Sequence, residues 1–266
     1  MNNLVIGNTS QLSYFFPEDF IRISSRRIDF GHHNSYDRTY ICFAEQRTYL
    51  KENIDFFIDT NVNYTLKVIE HFSKISNVVI IYASSELWNN YNGAIHISMP
   101  FNYKKTNYIN SKQIMIENIK SMFQNVIILY PFNFNSIYRK PGFLFYKIFD
   151  SIINEKKITI GNTYFYRELL HPKFVAERSL AAIKDEIIGA GRLVFVNDFI
   201  RSLYSLFGMN YTDFVTENYS QNLTSDEKIF YLKSNDILYT NLLNDTVAEL
   251  KVALNRQHRF LSSVKK

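Results

Sequence analysis

The sequence predicts an α/β chain: a doubly wound parallel sheet with helices on both faces, followed by a smaller mixed carboxyl-terminal lobe. Two observations carry this expectation. Val78-Val79-Ile80-Ile81-Tyr82 and Val126-Ile127-Ile128-Leu129 are unbroken apolar runs rich in β-branched residues, the pattern of strands buried on both faces. Segments with apolar residues at helical spacing alternate with such runs. That alternation builds parallel sheets whose ligands sit at the carboxyl ends of the strands.

The elements follow in order. Leu4-Val5-Ile6 is a short buried strand entering a tight turn at Gly7. Residues 9–16 are expected to form a short helix closed by Pro17, and residues 20–24 and 38–43 the second and third strands. Between Ser24 and Arg38 there is too little chain for a further helix and strand, because a crossover alone takes ~10–12 residues. A sheet trimmed on that side is therefore expected. Val62, Thr65, Leu66, Ile69 and Phe72 mark one face of a helix over 61–72. A strand at 78–82, a helix over 108–122 and a strand at 126–129 come next. Beyond Pro131 the alternation decays into mixed helices and short strands, with 193–196 as one late strand.

Composition removes several alternatives. A chain of 266 residues, 46% hydrophobic, can form a large domain with a smaller appendage and needs no staples. Its aromatic content, with only 8 Gly and 5 Pro, excludes disordered and collagen-like classes. Cys42 stands alone and cannot form an internal disulfide, which suits a reducing compartment. No apolar run approaches the ~20 residues of a membrane helix, and the start MNNLVIGNTSQ lacks a basic region followed by a long apolar stretch. A cytoplasmic location with no membrane partner is the expectation. The net charge of +5 and pI near 9.0 suit an anionic ligand such as a nucleotide diphosphate, and equally a diffusely basic surface. Lys and Arg are scattered rather than blocked, so no nucleic-acid partner is expected.

The strongest chemical constellation is Ser84, Tyr108 and Lys112. Tyr108-Ile109-Asn110-Ser111-Lys112 places a phenol and an ammonium one helical turn apart on one face. A lysine there is expected to lower the phenol pKa and make Tyr108 a general acid/base. Ser84 follows the strand at 78–82 directly and sits at its carboxyl end, where its hydroxyl can bond a substrate oxygen.

With these residues in place, the chain resembles the extended short-chain dehydrogenase/reductase superfamily, in the epimerase/dehydratase-like branch that acts on nucleotide sugars. Asn61-Val62-Asn63-Tyr64-Thr65 is similar to its Asn-Val-x-Gly-Thr helix, with Tyr64 in place of glycine. Ser84-Ser85-Glu86-Leu87-Trp88 is similar to its Ser/Thr-x-x-Val-Tyr segment, and Tyr108 to Lys112 with Glu117 matches Tyr-x-x-Ser-Lys-x-x-x-x-Glu. Pro131-Phe132-Asn133 looks like its Arg-Pro-x-Asn stretch, with Tyr130 in the arginine's place. Arg167-Glu168 and 171–175 resemble its late Arg-Asp…His-Val segment, so the likeness spans about residues 3 to 185.

The resemblance implies a Rossmann-type domain over 1–135 that carries the cofactor and the Ser/Tyr/Lys group. Residues 136–266 would form a smaller substrate-binding lobe with interleaved elements. It implies cofactor contacts from Gly7, Ser10, Gln11, Leu12, Ser25, Arg26, Ala44, Asn61, Tyr108, Lys112 and Pro131. Contacts to a nucleotide-sugar substrate would come from Ser85, Glu86, Trp88, Asn133 and Arg167. The branch's Gly-x-x-Gly-x-x-Gly reads Gly7, Ser10 and Ser13 here, and a serine hydroxyl can donate to a phosphate. The second strand ends Ser24-Ser25-Arg26-Arg27, with no acid before Asp29; arginine there suits the 2′-phosphate of NADP(H), and a plain surface pair is the alternative.

The implied activity is NADPH-dependent reduction of a keto group on a nucleotide-activated sugar, serving surface polysaccharide or glycan precursor synthesis. An NDP-sugar epimerase with tightly bound NAD(P), and a non-catalytic nucleotide-binding protein of the same fold, are the alternatives. Dehydratase chemistry is not expected, because Ser84-Ser85-Glu86 stands where that subgroup carries Thr-Asp-Glu. Glu86 is open between sugar contact, second acid/base and backbone cap. Trp88 is open between substrate contact and packing, and Arg167 between a substrate diphosphate and a salt bridge. No metal is expected: His32-His33 has no acidic or cysteine partner at suitable spacing. Oligomeric state is open, with a homodimer through the helix of Tyr108 and Lys112 as the pairing the superfamily suggests.

Overall fold

The apolar runs become the middle of a parallel sheet because each has both faces covered: Leu4, Val5 and Ile6, then Val79 and Ile80, and Leu129 are fully buried. The computed structural model describes residues 2–31, 34–48, 53–218 and 232–264. Strand β1 (Asn3–Ile6) leads through a 3-10 turn at Ser13–Phe15 to β2 (Ile21–Ile23), and β3 (Tyr36–Ile41) follows. Helix α1 (Ile54–Ile58) passes through a π-helical stretch at Asp59–Tyr64 into α2 (Thr65–Phe72), ahead of β4 (Ser76–Tyr82). Then come the short β5 (Ala94–Ile95), α3 (Asn107–Met122), β6 (Val126–Pro131) and β7 (Asn133–Phe134).

The rest of the chain is α4 (Leu144–Asn154), β8 (Ile158–Ile160), β9 (Tyr166–Arg167), β10 (Leu169–Leu170), α5 (Pro172–Ala181) and β11 (Glu186–Ile188). It ends with β12 (Val194–Phe195), α6 (Val196–Leu206), α7 (Tyr211–Phe214), β13 (Val215–Glu217), β14 (Lys233–Ser234) and α8 (Leu242–Val264).

Six strands form the main sheet in the order β11-β6-β4-β3-β1-β2, every pair parallel. The chain leaves β1 for β2 on one side and returns to β3 on the other, so a switch point lies between β1 and β3. Ligands of such sheets bind at the strand ends there. Among the described residues β2 is the edge, as the short stretch between Ser24 and Arg38 requires. Helices α1 and α2 pack with α3, whereas α5 packs with the 3-10 turn. Arg38 on β3 donates to the carbonyls of Leu180 and Ala182 at the end of α5, at 3.0 and 2.9 Å. A second core, around Phe149, Ile152, Ile200, Leu203, Tyr204 and Leu250, joins α4, α6 and α8.

Three local expectations are corrected. Residues 9–16 form only the 3-10 turn, because short polar side chains bond the backbone locally and compete with the helix. The Ser13 hydroxyl donates to the carbonyls of Asn8 and Ser10, at 3.1 and 2.7 Å. The helix expected from residue 61 begins at Ile54, where Asn53 accepts from the Phe56 N–H, and it bulges at Asp59–Tyr64, a common device at functional sites. The late run at 193–196 splits: Val194–Phe195 pairs antiparallel with β9, and Val196 opens α6.

Candidate active site

Strand β4 and helix α3 position the central group. Ser84, just beyond β4, caps a 3-10 turn at Ser85–Trp88 by accepting from the Glu86 N–H at 3.2 Å. Thr106 caps α3 by accepting from the Ile109 N–H, and the helix turns Tyr108, Ser111 and Lys112 inward, all buried. The Lys112 ammonium stands 5.9 Å from the centre of the Tyr108 ring and donates to the Tyr82 carbonyl at 3.3 Å. The Ser84 hydroxyl lies near enough to the Tyr108 phenol to favour its charged form. Thus the Ser, Tyr and Lys expected from the sequence are brought together at the carboxyl end of β4.

Asn61 explains the π-helical stretch. Fully buried, it accepts from the Glu45 N–H at 2.8 Å and donates to the Glu45 carbonyl and the Ser111 hydroxyl, both at 3.1 Å. It therefore ties the segment after β3 to the helix bearing Tyr108.

Burial sets the electrostatics. It pushes the Tyr108 phenol well above its ordinary value, the nearby Glu86 carboxylate adds to that, and the nearby Ser84 hydroxyl and the Arg139 charge oppose it. Burial lowers Lys112 to about 8. The expectation of a phenol pulled down by its lysine is thereby corrected: burial outweighs the ammonium, and Tyr108 is held as an acid. Burial also raises the Glu86 carboxyl, against the Arg167 charge.

Two cavities flank this group. The larger, about 830 Å³, is lined by Gly7, Ser10, Gln11, Ser25, Arg26 and Ala44, all expected at a cofactor, together with Arg47, Tyr64, Arg139 and Lys140, which were not. The smaller, about 240 Å³, is lined by Ser85, Glu86, Asn133 and Arg167, all expected at a substrate, together with Asn89 and Glu168. Tyr108 feels Glu86 from one cavity and Arg139 from the other. Of the other residues expected at the cofactor, Leu12, Asn61, Tyr108, Lys112 and Pro131 line neither cavity. Trp88 is corrected to a packing role: it is fully buried, donates to the Met99 carbonyl at 3.0 Å and packs edge-on against Phe101 and Tyr130. Arg139 and Lys140 carried no signal beyond being a basic pair after the Pro131–Asn133 stretch.

The larger cavity fits a nicotinamide dinucleotide in part of the expected manner. Gly7 has φ +103°, and a Cβ there would stand 3.1 Å from the Phe43 nitrogen, so the backbone makes a tight turn that only glycine admits. Cations on three segments, Arg26, Arg47, Arg139 and Lys140, face one carboxylate, Glu45, which suits an anion. The Ser13 side chain is not available to a phosphate, being wholly buried on its carbonyl partners. Tyr64, in the glycine's place, packs on Phe43 at 5.5 Å and donates its hydroxyl to the Ser25 carbonyl, closing one end of the cavity. Among the described residues no cluster of metal ligands is found, and no helix is long and apolar enough to cross a membrane. His32 and His33 lie outside the described residues.

No family model matches the chain, and no curated protein matches it in sequence. Solved structures do match its shape. ADP-L-glycero-D-manno-heptose-6-epimerase of Helicobacter pylori superposes with a TM-score of 0.72 at 14% identity, over 94% of this chain and 96% of that one. UDP-glucuronic acid 4-epimerase of Bacillus cereus in complex with NAD gives 0.72 at 15%, over 95% and 96%. The structure of RMD from Pseudomonas aeruginosa complexed with NADPH gives 0.70 at 12%, over 96% and 98%. Over nearly its whole length the chain shares the Rossmann-type fold of these structures.

Proposed function

We propose that this chain is an NADP(H)-dependent enzyme of the short-chain dehydrogenase/reductase type that reduces a keto group on a nucleotide-activated sugar. The observation that carries the reading is the Ser84–Tyr108–Lys112 group, whose phenol feels Arg139 of a cation-lined cavity and Glu86 of a smaller one that also holds Arg167. When bound, the nicotinamide ring supplies the hydride. Tyr108, kept protonated by burial and by Glu86, gives its proton to the carbonyl oxygen. Ser84 hydrogen-bonds the reacting oxygen, and Lys112, still mostly charged at pH 7 with its pKa about 8, offers its charge to the phenolate left behind. Arg167 faces the substrate's diphosphate, and Arg26 the 2′-phosphate of the cofactor. Of the similar structures described above one is complexed with NADPH and one with NAD, so the preference for a phosphorylated dinucleotide rests on Arg26.

The epimerase reading has its own support, since two of the similar structures described above are epimerases. The two readings part on cofactor handling. A reductase consumes dissociable NADPH when offered keto-sugar nucleotides, whereas an epimerase retains NAD and shows no net consumption. Tyr108→Phe should lower turnover at least about a hundredfold while leaving dinucleotide affinity within about twofold. Turnover that survives the substitution removes Tyr108 from the chemistry.

A further inference from the structure

In doubly wound nucleotide-binding folds the first crossover opens a helix whose unpaired N–H groups meet the phosphates. Here that crossover holds a three-residue 3-10 turn, too short for a helix dipole, and several donors of the turn before it are committed. The N–H groups of Gly7 and Asn8 go to the Ile23 carbonyl at 2.9 and 3.2 Å, that of Ser10 to Gly7 at 2.8 Å, and that of Ser13 to Ser10 at 3.0 Å. Among the described residues the N–H groups of Thr9, Gln11 and Leu12 carry no such bond, but no helix dipole stands behind them.

The opposite wall is charged. The segment between β7 and α4 brings Arg139 and Lys140 to the same cavity, and direct contacts with the first crossover fix its position. Gln11 donates to the Phe134 carbonyl at 3.1 Å and accepts from the Ser136 N–H at 3.2 Å, while Tyr14 stacks on Tyr138 at 3.9 Å. The Arg139 guanidinium lies 3.8 Å from the Phe143 ring centre and donates to Gln46 at 3.4 Å. Among the described residues the cavity's one carboxylate, Glu45, is gripped by Arg47 at 2.9 and 2.6 Å, so the lining stays net positive.

Resting on the reading of this cavity as a dinucleotide site, we propose that Arg139, with Lys140 beside it, binds the diphosphate bridge from the β7–α4 side and replaces the helix N-terminus that the first crossover lacks. A planar guanidinium suits this task because it meets phosphate oxygens in pairs. The same charge reaches the Tyr108 phenol, so the residue that holds the cofactor's phosphates also biases the proton donor.

Calorimetric titration with ADP, inorganic pyrophosphate, adenosine and NADPH tests this on wild type, Arg139→Gln and Lys140→Gln. Lys74→Gln, at the other end of the sheet just before β4, serves as the charge control. Arg139→Gln should weaken ADP, pyrophosphate and NADPH by about tenfold or more, leave adenosine within about twofold, and spare thermal stability; Lys74→Gln should change nothing. Unchanged ADP affinity in a folded Arg139→Gln overturns the proposal, as does an equal loss for adenosine. Should Arg139→Gln not fold, Lys140→Gln on its exposed side chain should still lose about threefold in ADP affinity, and no loss overturns the proposal. A wild type that binds neither ADP nor pyrophosphate overturns it outright. If wild type binds both but no nicotinamide dinucleotide, and Arg139→Gln weakens them, the diphosphate site stands while the proposed function falls.

Discussion

Tyr108 and Lys112 share one turn of α3, yet burial drives their proton affinities apart, the phenol up and the ammonium down to about 8. For Lys112 this has a stability consequence whose sign follows from linkage. Between pH 8 and the ordinary lysine value of 10.5 the unfolded chain binds the extra proton and the folded chain does not, so stability rises with pH across that window. At pH 7 the buried charge costs about 3 kcal/mol. Lys112→Met should therefore raise the melting temperature at pH 7 and flatten the rise between pH 8 and 10.5, while abolishing turnover. Thermal unfolding followed against pH reads this, and a variant less stable than wild type at pH 7 would show that the lysine's contacts outweigh its desolvation. At the same scale Asn61→Ala would strand the Glu45 N–H and carbonyl, a loss of about 2 kcal/mol visible in denaturant unfolding.

Among the elements, the carboxyl-terminal strand β14 is fastened by one buried carboxylate. Glu168 accepts from the N–H groups of Ala190, Gly191 and Ser234 and from the Ser234 hydroxyl. Gly189 leaves room for it: a Cβ there would lie 2.2 Å from the Glu168 Oε1 and 2.5 Å from the Ser234 Cβ. Gly189→Ala should cost about 1–3 kcal/mol, whereas Gly161→Ala, with nothing within 4 Å of its Cβ position, should leave the melting temperature nearly unchanged. Equal melting of the two variants would refute the node. Glu168 also borders the smaller cavity, so loosening it should raise KM for the sugar nucleotide before it lowers kcat.

For the whole molecule, what could be read in the sequence was whatever a single element encodes. The runs at 78–82 and 126–129 are buried on both faces, so their pattern has no competing explanation, and Tyr108 and Lys112 are tied by helical spacing alone. The first crossover failed because Asn8, Ser10 and Ser13 settle into local hydrogen bonds, which helical periodicity does not register. The π-helical stretch leaves no periodic mark either. Whether a residue lines a cavity or stands one layer behind it, as Leu12, Asn61 and Trp88 do, depends on contacts far apart in sequence. Arg139 meets Gln46 across such a distance, so nothing local in the sequence marks the Arg139–Lys140 pair.

The proposed function requires the larger cavity to take a phosphorylated nicotinamide dinucleotide. Its most direct test is calorimetric titration of the purified protein with NADPH and with NADH, after any co-purified nucleotide has been identified. The account predicts dissociable binding with NADPH preferred about tenfold or more, and a preference that Arg26→Ala erases. Binding of neither dinucleotide would contradict it.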